Sequence, residues 1–136
     1  MPVLETDFLK GLLDEKDRLH ASCLRAHRQI SARKWMLASS ALIELDLLLK
    51  KTGISNSGRH EVFESLRAEF DAELVLVVSH AVLSQAALMR EKYPFRRFYF
   101  DSIHLSTAFL HDGTIVSSDR EFDHVTELKR IPLDRV

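Results

Sequence analysis

The sequence predicts an α/β domain built on a central, mainly parallel sheet of four to five strands. Three observations predict it. Short apolar or β-branched runs alternate with helix-length segments of 3.6-residue period along the whole chain. The run Glu73 to Val78 is apolar after its first residue, the pattern of a parallel strand covered on both faces. Breakers such as Gly53, Pro94 and Gly113 fall between these segments, so strands and helices take turns, as they do in parallel sheets.

Each element has its own warrant. Pro2-Val3-Leu4-Glu5 reads as a short buried strand, after which Thr6 or Asp7 caps a short helix from Phe8 to Leu13. Lys16 to Ser31 reads as a longer polar helix, with Leu19, Cys23, Leu24, His27 and Ile30 at helical spacing. Met36-Leu37-Ala38 is a brief strand, and Ser39 or Ser40 caps an apolar helix that Gly53 stops. Gly58 to Phe70 is helical. Past the strand at Glu73 to Val78, Ser79 caps a helix to Tyr93, which Pro94 ends. The aromatic run Phe98-Tyr99-Phe100 closes at Asp101, and a helix from Ser102 to His111 stops at Asp112-Gly113. Thr114 to Ser117 is a strand, and Arg130 to Leu133 is an edge strand.

The 136 residues make one domain, residues 1–136, with enough chain for a single core. Hydrophobic residues at 46% and charged residues at 29% are ordinary for a globular domain, and a net charge of -1 excludes a polyelectrolyte tail. It does not exclude nucleic acid, because local clusters of Arg matter more than the sum. Cys23 is the single cysteine, which rules out an internal disulfide and a Cys-based zinc site and fits a reducing, cytoplasmic location. Glu5 and Asp7 near the start are wrong for a signal peptide. The apolar stretch from Leu74 to Met89 is interrupted by Ser79, His80, Ser84 and Gln85, so no membrane span is expected.

Four acids carry the chemistry: Glu5, Glu44, Asp101 and Asp119. Each follows or interrupts an apolar segment, and Glu5 and Asp119 fall at strand ends, where parallel sheets place their ligands. Taken singly, each has an ordinary reading. Asp101 is a helix cap, Asp119 a turn residue, Glu44 a half-exposed surface residue and Glu5 an exposed strand end. Taken together, four ionised carboxylates drawn from distant stretches need a cation, and a hard one such as Mg²⁺ or Mn²⁺ suits oxygen ligands. The chain therefore reads as a metal-dependent hydrolase. Asp46 is a decoy paired with Lys50 four residues on, Asp123 a loop acid, and His104 a structural or surface residue that borders the pocket.

These residues also resemble a known family. Leu4-Glu5-Thr6-Asp7-Phe8-Leu9 is similar to the opening motif of PIN domains, and Ser39-Ser40-Ala41-Leu42-Ile43-Glu44-Leu45 to their second acidic motif. Phe100-Asp101-Ser102-Ile103-His104-Leu105-Ser106-Thr107-Ala108 resembles the third, and Ile115-Val116-Ser117-Ser118-Asp119-Arg120-Glu121-Phe122 the fourth. The resemblance covers nearly the whole chain in order. It implies a three-layer α/β/α PIN-like fold and a metal-dependent ribonuclease, most often the toxin of a VapBC-type pair. Such toxins are homodimers held inactive by a small antitoxin. Carried over by position, Glu5, Glu44, Asp101 and Asp119 are the catalytic acids. Most members carry Asp where this chain has Glu5, and Asp7 shares or replaces its role.

On that resemblance Asp101 and Asp119 make the direct metal contacts, Glu5 completes the set, and Glu44 holds a water or orients the nucleophile. Thr6 and Ser117 position ligands or a phosphate through their hydroxyls. Crowded acids without metal raise at least one pKa. RNA needs cations outside the pocket, from Arg25, Arg28, Arg33, Lys34, Arg96, Arg97 and Arg120, with Arg97, Phe98 and Tyr99 offering a stacking surface. Three other readings stand beside this one. They are a PIN-like domain without nuclease activity that binds RNA or protein, a phosphohydrolase acting on DNA or small esters, and a plain structural subunit.

Overall fold

The computed structural model describes residues 1–94 and 98–136. In chain order the strands are β1 (Val3–Leu4), β2 (Met36–Ala38), β3 (Val75–Leu76), β4 (Thr114–Ser117) and β5 (Lys129–Pro132). The helices are α1 (Thr6–Leu13), α2 (His20–Ser31), α3 (Ser39–Lys51), α4 (Asn56–Glu69), α5 (His80–Lys92) and α6 (Phe98–His111). Among the described residues the sheet runs β3-β2-β1-β4-β5, and each of these pairings is parallel. The chain builds outward from β1 through β2 to β3, then crosses back to lay β4 and β5 on the other side of β1. The order thus reverses between β1 and β4, and a crevice opens there beyond the carboxyl ends of the strands.

Alternation along the strands divides the core. Leu4, Leu37 and Val116 face one side, where they meet Phe8, Leu9, Cys23, Ile30, Leu45 and Leu66 from α1 to α4. Val3, Ala38 and Ile115 face the other, against Met89 of α5 and Leu105 and Ala108 of α6, with Phe122 beside them. The result is the expected three-layer α/β/α arrangement.

Several local expectations are corrected. Glu73 to Val78 is not a strand covered on both faces. Residues Ala72–Leu74 form a 3-10 turn, β3 keeps two residues at the sheet edge, and Val77 is 76% exposed. Its apolar continuity reflects an edge strand that leaves the sheet early, with the Val78 N–H donating to Ser39 Oγ at 3.0 Å. Neither Ser39 nor Ser40 caps α3; Ala38 occupies that position without a side-chain bond. Neither Thr6 nor Asp7 caps α1; Glu5 does, its Oε2 accepting from Asp7 N at 3.0 Å. The second helix starts at His20 rather than Lys16, because Asp14 and Asp17 accept from Lys16 N and Leu19 N and turn the chain first. Asp101 does not cap the helix expected from Ser102, since α6 already begins at Phe98 and holds Asp101 in its first turn. Asp46 pairs with Arg59 at 2.8 Å instead of Lys50. Ser79 caps α5 as expected, accepting from Val82 N.

Helices α1 and α2 approach closely at Gly11, where a Cβ would stand 2.5 Å from Cys23 Sγ. Gly11→Ala should therefore destabilise the domain by about 1–3 kcal/mol from overpacking, despite a gain of about 1 kcal/mol in helix propensity. In a Cys23→Ala background the same change should become neutral or stabilising. Equal effects in the two backgrounds, measured by denaturant unfolding, would contradict this packing.

Candidate active site

Four connections deliver acids to the carboxyl edge of the sheet. Glu5 directly follows β1, and Asp119 stands two residues past β4. Helix α3 leaves β2 at that edge and carries Glu44 in its second turn. Helix α6 runs back to the opposite edge to feed β4, so its first turn, with Asp101, lies on the same side as the others.

Glu44 is held by a buried network. Thr6 Oγ1 donates to Glu44 Oε2 at 2.8 Å. His104, fully buried on α6, places Nε2 2.8 Å from the same Oε2 and 3.2 Å from Thr6 Oγ1. A carboxylate only accepts, so Nε2 carries the proton. The other ring nitrogen, Nδ1, lies 2.7 Å from Ser40 Oγ, also fully buried. Burial pushes the Glu44 carboxyl up, but the His104 hydrogen bond and charge and the Thr6 hydroxyl outweigh it and hold it below the ordinary range. Oε2 is saturated, and Oε1 takes no hydrogen bond among the described residues.

The remaining acids are less well satisfied. Glu5 is 5% exposed, and its Oε1 is buried with no hydrogen-bond partner among the described residues. Burial first, then the neighbouring Asp7, raise its pKa well above the usual carboxylate value, against the Asp7 N–H and the nearby Ser117 hydroxyl. Asp101 accepts no hydrogen bond among the described residues. Burial, followed by the charges of Glu44, Asp119 and Asp7, pushes its pKa up to about 7. Asp119 Oδ1 accepts from Glu121 N at 2.9 Å, so it does serve as the turn residue that the single-residue reading expected. Asp7 sits on helix α1, where it receives the Ser118 hydroxyl and lies 3.9 Å from Lys10 Nζ.

The hydroxyls named from the sequence lie beneath these carboxylates. Thr6 is committed to Glu44, and Ser117 Oγ accepts from Asp119 N at 3.0 Å. Arg33 is tied to Asp71 and Glu73, and Arg25 bonds Ser22 Oγ and the Val136 carbonyl. Arg96 and Arg97, with the Phe98 side chain, lie outside the described residues; Tyr99 is exposed with the Arg90 guanidinium 5.3 Å from its ring centre. Arg120 is exposed beside Asp119 and lines a polar cleft. Asp123 pairs with Arg130 through two 2.8 Å contacts.

Among the described residues no three His, Cys, Asp or Glu side chains stand ready to hold an ion. The donor chemistry still fits a hard cation. The groups are carboxylates and hydroxyls, one buried carboxylate oxygen has no hydrogen-bond partner among the described residues, and Mg²⁺ needs only one or two carboxylates because it keeps several waters. Sequence reasoning underweighted His104 and Ser40. The available signal was the three-residue step from Asp101 to His104, which stacks both on one helix face.

The family profile of the PIN domain matches residues 3–128. Among solved structures, that of FitAcB from Neisseria gonorrhoeae superposes with a TM-score of 0.75 at 15% identity, covering 100% of this chain and 100% of that one. VapBC2 from Rickettsia felis, bound to a DNA fragment from its promoter, gives 0.72 at 14% identity, covering 96% of each chain. DNA-bound VapBC from Salmonella typhimurium gives 0.70 at 16% identity, covering 98% and 99%. No curated protein matches the chain in sequence. At these identities the structural likeness establishes the fold. No helix among the described residues is long and apolar enough to cross a membrane.

The electrostatics set a pH dependence. An acid whose folded pKa is raised stabilises below its unfolded value, and that contribution is lost as pH rises through the folded value. In EDTA, stability should fall between the ordinary Asp value of 3.8 and about 7 as the Asp101 site loses its proton. Asp101→Asn should flatten that window in melting-temperature scans against pH. An unchanged profile in the variant would place the titration elsewhere.

Proposed function

The chain belongs to the PIN domain family, and from that footing we propose that it is a metal-dependent endoribonuclease, the toxin of a VapBC-type toxin–antitoxin pair. The observation that carries the reading is the convergence of Glu5, Asp7, Glu44, Asp101 and Asp119 at the sheet's switch point, with two of them held far from their ordinary ionisation. Such crowding is expensive without a cation and is suited to one.

Asp101, Asp119 and Glu5, with Asp7 beside them, would hold Mg²⁺ or Mn²⁺. When bound, such an ion neutralises charge on phosphoryl oxygens and lowers the pKa of an attacking water. The chain's own residues supply the rest. Thr6 and His104 fix Glu44 through Oε2, which leaves Oε1 to accept a hydrogen bond from an attacking water and orient it. Ser117 holds the backbone at Asp119, and Arg120 stands beside the pocket to meet substrate charge.

The toxin assignment draws on neighbours solved as toxin–antitoxin complexes, including one from Klebsiella pneumoniae. A small antitoxin has apolar surface to use between α1 and α3, where Leu13, Leu45, Leu48 and Leu49 line a cleft of ≈ 400 Å³. Half-exposed Ile43 and Leu47, one turn apart on α3, suit a homodimer contact. We place the protein in the cytoplasm, acting on RNA. One observation favours a second reading, a PIN-like domain that binds RNA or protein without cutting it. Glu5 replaces the family's usual Asp, and its Oε2 is engaged in capping α1.

The test is incubation with a mixed structured RNA pool in Mn²⁺ or Mg²⁺, with an EDTA control. Wild type should cleave only with metal, and Asp101→Asn should abolish cleavage. His104→Leu should reduce it by about 10–100-fold, as loss of a group supporting an active-site ligand does. RNA left intact by folded wild type in metal would move the assignment to the binding module.

A further inference from the structure

A second charged feature adjoins the acidic pocket. Arg18, Ser118, Arg120, Asp123, Arg130, Asp134 and Arg135 line an open cleft of ≈ 370 Å³, beside Pro132. All except Arg18 follow β4 or lie on and after β5, so the cleft shares the carboxyl edge with the acids. Ser118 forms its boundary with the pocket, donating its hydroxyl to Asp7.

The charges in this cleft are unevenly matched. Arg130 is spoken for: it pairs with Asp123 at 2.8 Å and donates to the Ser117 carbonyl at 3.0 Å, which stiffens the cleft wall. Arg18, Arg120 and Arg135 are exposed and form no ion pair among the described residues; Arg120 reaches Asp123 only through space. Three unpaired guanidiniums facing one polar cleft repel each other, and they do so at every accessible pH. A guanidinium fork matches the oxygens of a phosphate. The acids next door repel RNA, so attraction has to come from beside them.

We propose that this cleft is an anion site that grips backbone phosphates of a single-stranded nucleic acid flanking the bond at the acidic pocket, through Arg18, Arg120 and Arg135. The inference rests on the nuclease reading for its choice of ligand. It extends that reading by naming two residues, Arg18 and Arg135, that lie outside the four acidic motifs.

The experiment measures binding of a short fluorescein-labelled oligouridylate by anisotropy in EDTA, where metal-dependent cutting is absent, across a salt series. For single strands the slope of log K against log salt changes by about 0.7 per neutralised phosphate, so the triple variant Arg18→Gln/Arg120→Gln/Arg135→Gln should lower its magnitude by about 2. Arg120→Gln alone should lower it by about 0.7, and Arg67→Gln, on the remote face of α4, should leave it unchanged. Melting curves confirm that each variant is folded. An unchanged slope in the folded triple variant overturns the cleft even if wild type cleaves RNA. A reduced slope supports it even if no cleavage is ever seen. Absence of oligouridylate binding by wild type at the lowest salt overturns it, as does stronger, equally arginine-dependent binding of a polyglutamate peptide, which would assign the cleft to an acidic polypeptide.

Discussion

The parallel pairing of β1 with β4 is the constraint on which the rest of the structure depends. Val3 and Leu4 register against Ile115 and Val116, so the residues that follow these two strands emerge side by side. Because the chain order reverses at this pair, no connection crosses above it, and the gap is filled by side chains alone. Those side chains are Glu5 and Asp119, joined by Asp101 from the returning helix and Glu44 from the outgoing one. A fold stabilised only by apolar burial gains nothing from this placement. The two faces of the sheet are closed by ordinary apolar cores.

Within that edge the acids divide into two kinds. Glu44 is satisfied, its Oε2 held by Thr6 and by a histidine that is itself anchored on Ser40. Glu5 and Asp101 are not, one with a buried oxygen that has no hydrogen-bond partner among the described residues and the other surrounded by like charge. Environments that push neighbouring carboxyls in opposite directions separate their tasks. Here Glu44 is held ionised as a standing hydrogen-bond acceptor, while Glu5 and Asp101 resist ionising.

Much of this was legible in the sequence. Strands β2 and β4 appear with their observed bounds, because each is a compact apolar run between clear breakers. The four acids stand out in the sequence because a carboxylate that ends or interrupts an apolar segment is costly to bury unpaired. What escaped was set by tertiary context. The apolar run at Glu73 to Val78 looked like a central strand, yet strand content at an edge and at the centre differs in pairing rather than in composition. Ser40 looked like a helix cap, and only the arrival of α6 turns its hydroxyl onto a histidine. Arg18 and Arg135 lie over a hundred residues apart, and no local pattern joins them to Arg120.

The central account holds that Glu5 and Asp101 keep protons that a cation displaces. Calorimetric titration of Mn²⁺ into the protein near pH 6, in two buffers of different ionisation enthalpy, reads this directly. The account predicts that binding releases protons, and that the release is reduced in Asp101→Asn. Binding without proton release, or no binding by the folded wild type, would contradict it.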